Sequence, residues 1–345
     1  MAKFEYPDLL NEMIACRFIN VQKHPHYPLQ IYNYSMRTQR HNAWNEATRA
    51  CRGLIMDREC NIVSRPFKKF FNYEHVSPDL LPNEPFTVTD KIDGSLGISY
   101  WYDGVWRIAT RGSFDGKQAT KATWILHGKY ADCCLKMQPQ YTYLFEVIYP
   151  ANRIIVDYGN REELVLLAVI DTETGCELTD FAGIGFPVLK PVEVNSLDEV
   201  LKMNDNKAEG MVVRFESGFR VKVKFAEYLR LHRIMLGLSE IKVWRCLSSG
   251  YGIDSLCEVA GEEYISWIKS TAEKISSAYN ARYKTVQKEF DALPQFASQE
   301  EAAEYVKKRK NADILLNMLY HKPVEKMIWQ LVKPDENASW FSERG

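Results

Sequence analysis

The sequence predicts an α+β chain: antiparallel β-sheets flanked by helices to about residue 235, then an all-α region over 236–345. Three observations carry that expectation. Two stretches have the turn chemistry of β-hairpins, several apolar runs have strand length, and beyond residue 257 the hydrophobic period lengthens to that of a helix.

The elements follow in chain order. In LGISYWYDGVWRIAT (96–110) the pair Asp103-Gly104 separates two β-branched and aromatic runs. A type I′ turn needs positive φ at both central positions, and Asp-Gly supplies it. YTYLFEVIY (141–149) and LVLLAVI (164–170) read as interior strands, and GMVVRFESGFRVKVKF (210–225) reads as a second hairpin turning at Ser217-Gly218. Further on, Tyr264, Ile268, Ala272, Ile275, Tyr279, Val286 and Phe290 recur at steps of three, four or seven, one face of a long helix. Ser298 and Glu301 form an S-x-x-E capping pattern, so a second helix is expected to begin there, run through EAAEYVKKRKNADILLNMLY and end before Pro323.

Charge is balanced, 44 basic residues against 45 acidic, so any affinity for a polyanion must come from a local patch. The eight cysteines, at 16, 51, 60, 133, 134, 176, 246 and 257, have neither C-x-x-C pairing nor zinc-ligand spacing, and read as free thiols. Glu5, Asp8 and Glu12 interrupt what a signal peptide would keep apolar, and LVLLAVI is too short to span a bilayer. A reduced, cytoplasmic setting with no membrane partner is expected.

One stretch breaks the neutrality: SRPFKKFFNYEH (64–75) concentrates cations and rings. A second is RVKVK (220–224). Strand alternation sends Val221 and Val223 to one face and Arg220, Lys222 and Lys224 to the other, an arrangement suited to a polyanion or to a solvated edge. A third is DKIDGSLG (90–97), with Lys91-x-Asp93-Gly94 leading into the first hairpin. The order of pieces says more than any one. Arg52-Gly53, Lys69, Lys91-x-Asp93-Gly94, Phe145-Glu146, Glu209-Gly210 and Lys222-x-Lys224 follow one another along the chain.

Those six pieces in that order resemble the covalent nucleotidyltransferase superfamily of ATP-dependent ligases and mRNA capping enzymes. In detail, ACRGLIMD, SRPFKKFFN, KIDGS, FEVIYPANRIIVDY, AEGMVV and VKVK look like the RNA ligase 1 family, the bacteriophage type that repairs broken tRNA. IYNYS (31–35) fits its N-terminal region, and the likeness spans roughly residues 30–235. The resemblance implies an adenylyltransferase domain over 1–235, a helical C-terminal domain over 236–345 that selects the RNA, and ATP as substrate with Mg²⁺ or Mn²⁺.

It also implies roles. Lys91 is the nucleophile that takes up AMP from ATP and expels pyrophosphate. Arg52, Lys69, Lys222 and Lys224 hold the phosphates, the last two within the catalytic set; Asp93 and Gly94 belong to the nucleotide site, and Val212 lines the adenine pocket. Glu209 is the metal ligand, and Glu146 faces the ribose or a second metal. Gly94 and Gly210 let backbone approach the nucleotide, and one of Phe70 or Phe71 packs at the base. Arg65 and Lys68 suit a solvated face or RNA phosphates equally. Physical chemistry adds a requirement: a lysine of ordinary pKa near 10.4 is a free amine in about one molecule in a thousand at neutral pH. Cationic neighbours lower that pKa, so Lys222 and Lys224 are expected to converge on Lys91.

The full reaction so implied joins 5′-phosphate and 3′-hydroxyl RNA ends through lysyl-AMP and RNA-adenylate intermediates, with a broken tRNA anticodon loop as the RNA partner. A DNA ligase or GTP-using capping enzyme would place an OB barrel after the Lys-x-Lys strand, where this chain reads as helix. A non-catalytic RNA-binding protein on the same fold is the other alternative. GSFDGKQ (112–118) is one residue short of a P-loop, with Gln118 where magnesium needs Ser or Thr. His232 and KKRK (307–310), the latter expected on the last helix, suit RNA contacts or ordinary packing and solvation.

Overall fold

In the computed structural model, residues 2–335 are described, apart from Asn206, Leu236 and Gly261; Leu236, at the expected domain boundary, thus lies outside the described residues. Two compact units divide the chain, Met1–His232 and Arg233–Gly345.

Among its described residues the first unit holds twelve strands: β1 (Ile19–Lys23), β2 (Leu29–Tyr34), β3 (Arg52–Asp57), β4 (Ile62–Ser64), β5 (Phe71–Asn72), β6 (Phe86–Lys91), β7 (Ser95–Tyr102), β8 (Val105–Thr110), β9 (Tyr141–Ile148), β10 (Glu163–Asp171), β11 (Gly210–Phe215) and β12 (Arg220–Lys224). They make three four-stranded sheets, ordered β1-β2-β3-β4, β10-β9-β7-β8 and β5-β12-β11-β6. All pairings are antiparallel except β12 with β5.

The first hairpin closes as its sequence dictates. Tyr102 pairs with Val105, and Asp103 and Gly104 sit at φ 52° and 71°. The second has a longer turn than Ser217-Gly218 alone: β11 ends at Phe215, β12 begins at Arg220, and Gly218 takes the left-handed position at φ 84°. β9 is interior, as expected. β10 is not; it ends the order of its sheet, its outer side met by isolated bridges at Val188 and Glu177. Its apolar run reflects burial against the helix Lys117–Lys129, whose Ala122, Ile125 and Leu126 pack with Phe145, Leu164 and Leu166. Each such fully buried side chain contributes about 1.5–3 kcal/mol of transfer free energy.

The third sheet obeys strict alternation. Val88, Met211, Val213, Phe215, Val221 and Val223 form one core face. Thr87, Thr89, Lys91, Val212, Arg214, Arg220, Lys222 and Lys224 face the other way, into a cavity. RVKVK is therefore a cavity floor rather than a solvated edge.

In the second unit the regular elements among the described residues are all helices. The long helix Glu262–Asp291 buries Tyr264, Ile268, Ala272, Ile275 and Val286, the face read from the periodicity. Ser298 caps the next helix, accepting from the Glu301 N–H at 3.2 Å, but that helix ends at Val306 and another spans Ala312–Leu319. The single helix expected to reach Pro323 is thus two, and KKRK is the turn between them. Four consecutive cations repel one another within a helical turn. Buried Asn311 then anchors the break, accepting from Arg282 at 2.8 Å and donating to Glu289 at 2.6 Å.

Candidate active site

Register alone assembles the cationic end of the floor. Gly210 pairs with Lys91 on one side and Lys224 on the other, so the two lysines flank the residue just before it, Glu209. Glu209 Oε2 accepts from Lys91 Nζ at 2.6 Å, and Oε1 lies 3.0 Å from Lys224 Nζ. Burial pushes the Glu209 carboxyl up, but the two ammonium groups outweigh it and hold it below the ordinary range. The cavity above measures about 650 Å³.

Around it stand Arg52, Lys69, Lys91, Gly94, Glu146, Val212, Lys222 and Lys224, eight of the residues singled out from the sequence. Val212 lies between Thr89 and Lys222 on the floor. Glu146 is the charged member of β9. Burial, opposed by Lys91, raises its carboxyl to about 7.

Three expectations need correction. Asp93 does not line this cavity. Its carboxylate turns away, accepting from the Ile155 and Val156 N–H groups at 2.8 and 2.9 Å and from the Tyr228 hydroxyl at 2.7 Å, while its own N–H donates to Tyr158 Oη at 2.9 Å. Asp93 fastens the loop after Lys91 to the segment PANRIIVDY. Asn152 of that segment adds two ties, accepting from Ser95 Oγ at 3.1 Å and donating to the Val147 carbonyl at 2.9 Å.

The two glycines meet protein rather than open nucleotide space. A Cβ on Gly210, at φ 150°, would fall 2.0 Å from the Val223 carbonyl oxygen, and one on Gly94 would fall 2.7 Å from that of Val147. Finally, the charged group on Lys91 at 2.6 Å is a carboxylate. Cations are therefore not the only charges that converge on this amine.

A second cationic corner draws on other elements. Arg52 opens β3, Lys69 precedes β5 and Arg111 follows β8; they meet about Tyr34 at the end of β2. Arg111 Nη1 donates to Tyr34 Oη at 2.9 Å, and Lys69 Nζ, 4% exposed as a residue, sits 4.9–5.7 Å from the ring centres of Tyr34, Trp44 and Phe71. Arg52 lies 5.6 Å from the Phe70 ring centre, and its Nη1 is buried without a partner among the described residues. Burial lowers the Arg52 pKa.

Phe70 therefore faces the cavity, while Phe71 helps enclose the Lys69 ammonium. Arg65 is half-buried and tied down: it donates to the Thr172 carbonyl at 2.6 Å and the Glu173 carbonyl at 3.2 Å. Lys68 is exposed, 3.5 Å from Glu46. His232 stacks on Tyr228, centroids 5.8 Å apart.

Sequence reasoning missed Arg111, Arg214 and Leu167. Arg214 and Arg220 share Glu177, at 3.2 and 2.5 Å, and both arginines line the cavity. Leu167 faces the cavity because a β-bulge between Leu166 and Ala168 breaks the alternation of β10. Asn33, Thr110 and Gln118 also line it, Gln118 from the first turn of the helix Lys117–Lys129.

A family model described as RNA ligase matches residues 50–228, more than half of the chain, and takes in every residue of both corners except Tyr34 and Trp44. The chain belongs to the RNA ligase family. Among relatives, a protein of Autographa californica nuclear polyhedrosis virus described as a putative bifunctional polynucleotide kinase/RNA ligase is 27% identical over 62% of this chain and 35% of its own length. An RNA ligase of Rhodothermus phage RM378 is 23% identical over 75% of this chain and 76% of its own. A putative RNA ligase of Thermovibrio ammonificans is 29% identical over 53% of each. The chain thus spans about a third of the viral relative and half of the bacterial one. Among the described residues no helix is long and apolar enough to cross a membrane.

The carboxylates suit a hard divalent cation. Glu146 is raised by burial, a penalty that a bound cation would relieve, and Glu209 is already charged. Among the described residues no group of three or more acidic, His or Cys side chains could hold a metal. Magnesium usually takes only one or two carboxylates and completes its shell with phosphates and water.

Proposed function

We propose that this RNA ligase family member is an ATP-dependent RNA ligase, joining 5′-phosphate to 3′-hydroxyl ends through Lys91-AMP and RNA-adenylate, and that tRNA broken in its anticodon loop is its RNA. The observation that carries the reading is Lys91. Its amine is oriented by Glu209 at 2.6 Å and opens on a nucleotide-sized cavity rich in fixed cations.

In this reading Lys91 Nζ sheds its proton to water and attacks the α-phosphorus of ATP. Lys224 shares Glu209 with it. The new P–N bond forms as the bond to pyrophosphate breaks. Negative charge grows on the departing group, and preorganised cations stabilise such charge without reorganising. The corner of Arg52, Lys69 and Arg111 suits that task, with Lys222 and Lys224 nearer the α-phosphate. Glu146 and Glu209 would hold Mg²⁺ or Mn²⁺, which when bound neutralises phosphate oxygens. Val212, Leu167 and Phe70 offer apolar surface for the base. AMP then passes to the RNA 5′-phosphate, and attack by the 3′-hydroxyl seals the strand and releases AMP. The domain over 1–235 performs this chemistry and the helices over 236–345 select the RNA.

The test uses the full chain with α-labelled ATP and a divalent cation. Label retained through denaturation is expected on the wild type and lost in Lys91→Ala; label in that variant would remove Lys91 from its role. Sealing of anticodon-cleaved tRNA, single-stranded RNA and nicked DNA then separates the RNA ligase from a DNA ligase. Absence of all labelling would mark a non-catalytic binder.

A further inference from the structure

A second groove, of about 660 Å³, lies against the outer side of SRPFKKFF. Arg49, Phe67, Lys68, Phe70 and Phe71 line it, together with the turns Gly175–Glu177 and Glu216–Phe219. The Nε of Arg49 is buried without a partner among the described residues. Phe67, Lys69, Phe70, Arg214 and Arg220 line both this groove and the nucleotide cavity, so the two share a wall.

We propose that this groove binds the first nucleosides of the 5′-phosphorylated RNA strand, its terminal phosphate entering the nucleotide cavity past Lys69. The inference rests on the ligase reading and adds where one of the two RNA ends lies. Rings alternating with cations are what a single strand needs, bases stacking on the phenylalanines while phosphates meet arginine and lysine. Reaction geometry chooses the end. In-line displacement puts the leaving pyrophosphate opposite Lys91 Nζ, and the next nucleophile must approach opposite that same nitrogen. The 5′-phosphate therefore comes through the volume that pyrophosphate vacates, the corner of Arg52, Lys69 and Arg111. Of these residues Lys69 is the one that also lines the second groove. A non-bridging oxygen of the 5′-phosphate forms the new P–O bond; the P–N bond breaks, and the nitrogen keeps the electron pair and takes a proton from water.

The experiment isolates AMP-charged protein and titrates it, in a single turnover, with a short 5′-phosphorylated oligoribonucleotide carrying 4-thiouridine at its first or second nucleotide. Arg49→Gln with Lys68→Ala is expected to raise the half-saturating concentration about tenfold at low salt, and by less as salt rises. Irradiation is expected to join the thiouridine to the peptides containing Phe67–Phe71 or Ser217–Phe219. An unchanged half-saturation overturns the proposal. So do crosslinks confined to residues beyond 232, or crosslinks in the groove only from an oligonucleotide that supplies the 3′-hydroxyl. Charging by ATP alone, which needs no RNA, separates the two failures. A wild type that never charges sinks the ligase reading, whereas one that charges and transfers AMP without using the groove sinks this inference alone. If the double variant folds too poorly to charge, the wild-type crosslink decides.

Discussion

The two cationic corners of the cavity differ in how their charge is balanced. At the end of the floor, Lys91 and Lys224 share the buried Glu209, with Glu146 close enough to be felt. Arg52, Lys69 and Arg111 gather instead about aromatic rings, which attract cations, and Arg52 also feels Glu146. The first arrangement suits a group that must change protonation state. The second keeps a positive field for an anion that comes and goes. The difference predicts that carboxylates matter most in the first corner and fixed charge most in the second.

The largest effect should come from Glu209→Gln. It leaves two lysines together with no carboxylate between them, and breaking a buried pair by removing one partner costs about 3–5 kcal/mol. Chemical denaturation should register that loss, and lysine adenylation should fall by about 10²–10³. A near-normal adenylation rate would show that the carboxylate is not what orients the amine. Arg111→Ala removes charge from the other corner and takes one donor, at 2.9 Å, from Tyr34 Oη, but leaves no buried charge unpaired. It should weaken pyrophosphate, measured as an inhibitor of adenylation, by about tenfold, and leave stability within about 1 kcal/mol. A loss of stability like that of Glu209→Gln would erase the distinction between the corners.

What the sequence disclosed, and what it hid, follows the same division. Alternation in RVKVK and the Asp103-Gly104 turn are local, and both give their geometry directly. The long helix face from Tyr264 to Phe290 is equally legible. The corner at Glu209 was approachable because its lysines and glycine lie in recognisable strings, yet the role of Asp93 was misjudged: its partners at 155, 156 and 228 are far along the chain. The aromatic corner was half visible. Arg52 and Lys69 stood out, whereas Arg111 follows a strand end with no periodic signal, and Tyr34 and Trp44 look like ordinary core rings. Leu167 depends on a bulge, which a period-two pattern cannot announce. The break at KKRK was legible in principle, in four adjacent like charges, but the helix-forming residues on either side outweighed it.

The carboxylates also predict a pH dependence of stability for the metal-free protein in chelator. Glu146 has its folded pKa raised from 4.5 to about 7. The folded state then binds more protons than the unfolded one between those values, so stability declines as pH rises through that window. Glu209 has its folded pKa lowered; its contribution is present above its unfolded value and lost as pH falls through the folded one. Glu146→Gln should therefore flatten the decline between pH 4.5 and 7 and stabilise the protein at pH 8 by on the order of 1–3 kcal/mol. A decline that survives the substitution would assign the proton to another group.

The smallest expected effect probes the anchor behind Lys91. Tyr228→Phe removes one of the three hydrogen bonds that Asp93 accepts, the one of 2.7 Å, while keeping the ring that lies 5.1 Å from Lys224 Nζ. The Ile155 and Val156 N–H groups still hold the other oxygen. The cost should be about 1–2 kcal/mol, read as a fall of about 2–4 °C in Tm per kcal/mol. Asp93→Ala, which leaves both backbone donors and the hydroxyl without their acceptor, should cost more than twice as much. If the two substitutions were equal, the hydroxyl bond would be the whole anchor, and the PANRIIVDY backbone would contribute nothing to holding the lysine loop.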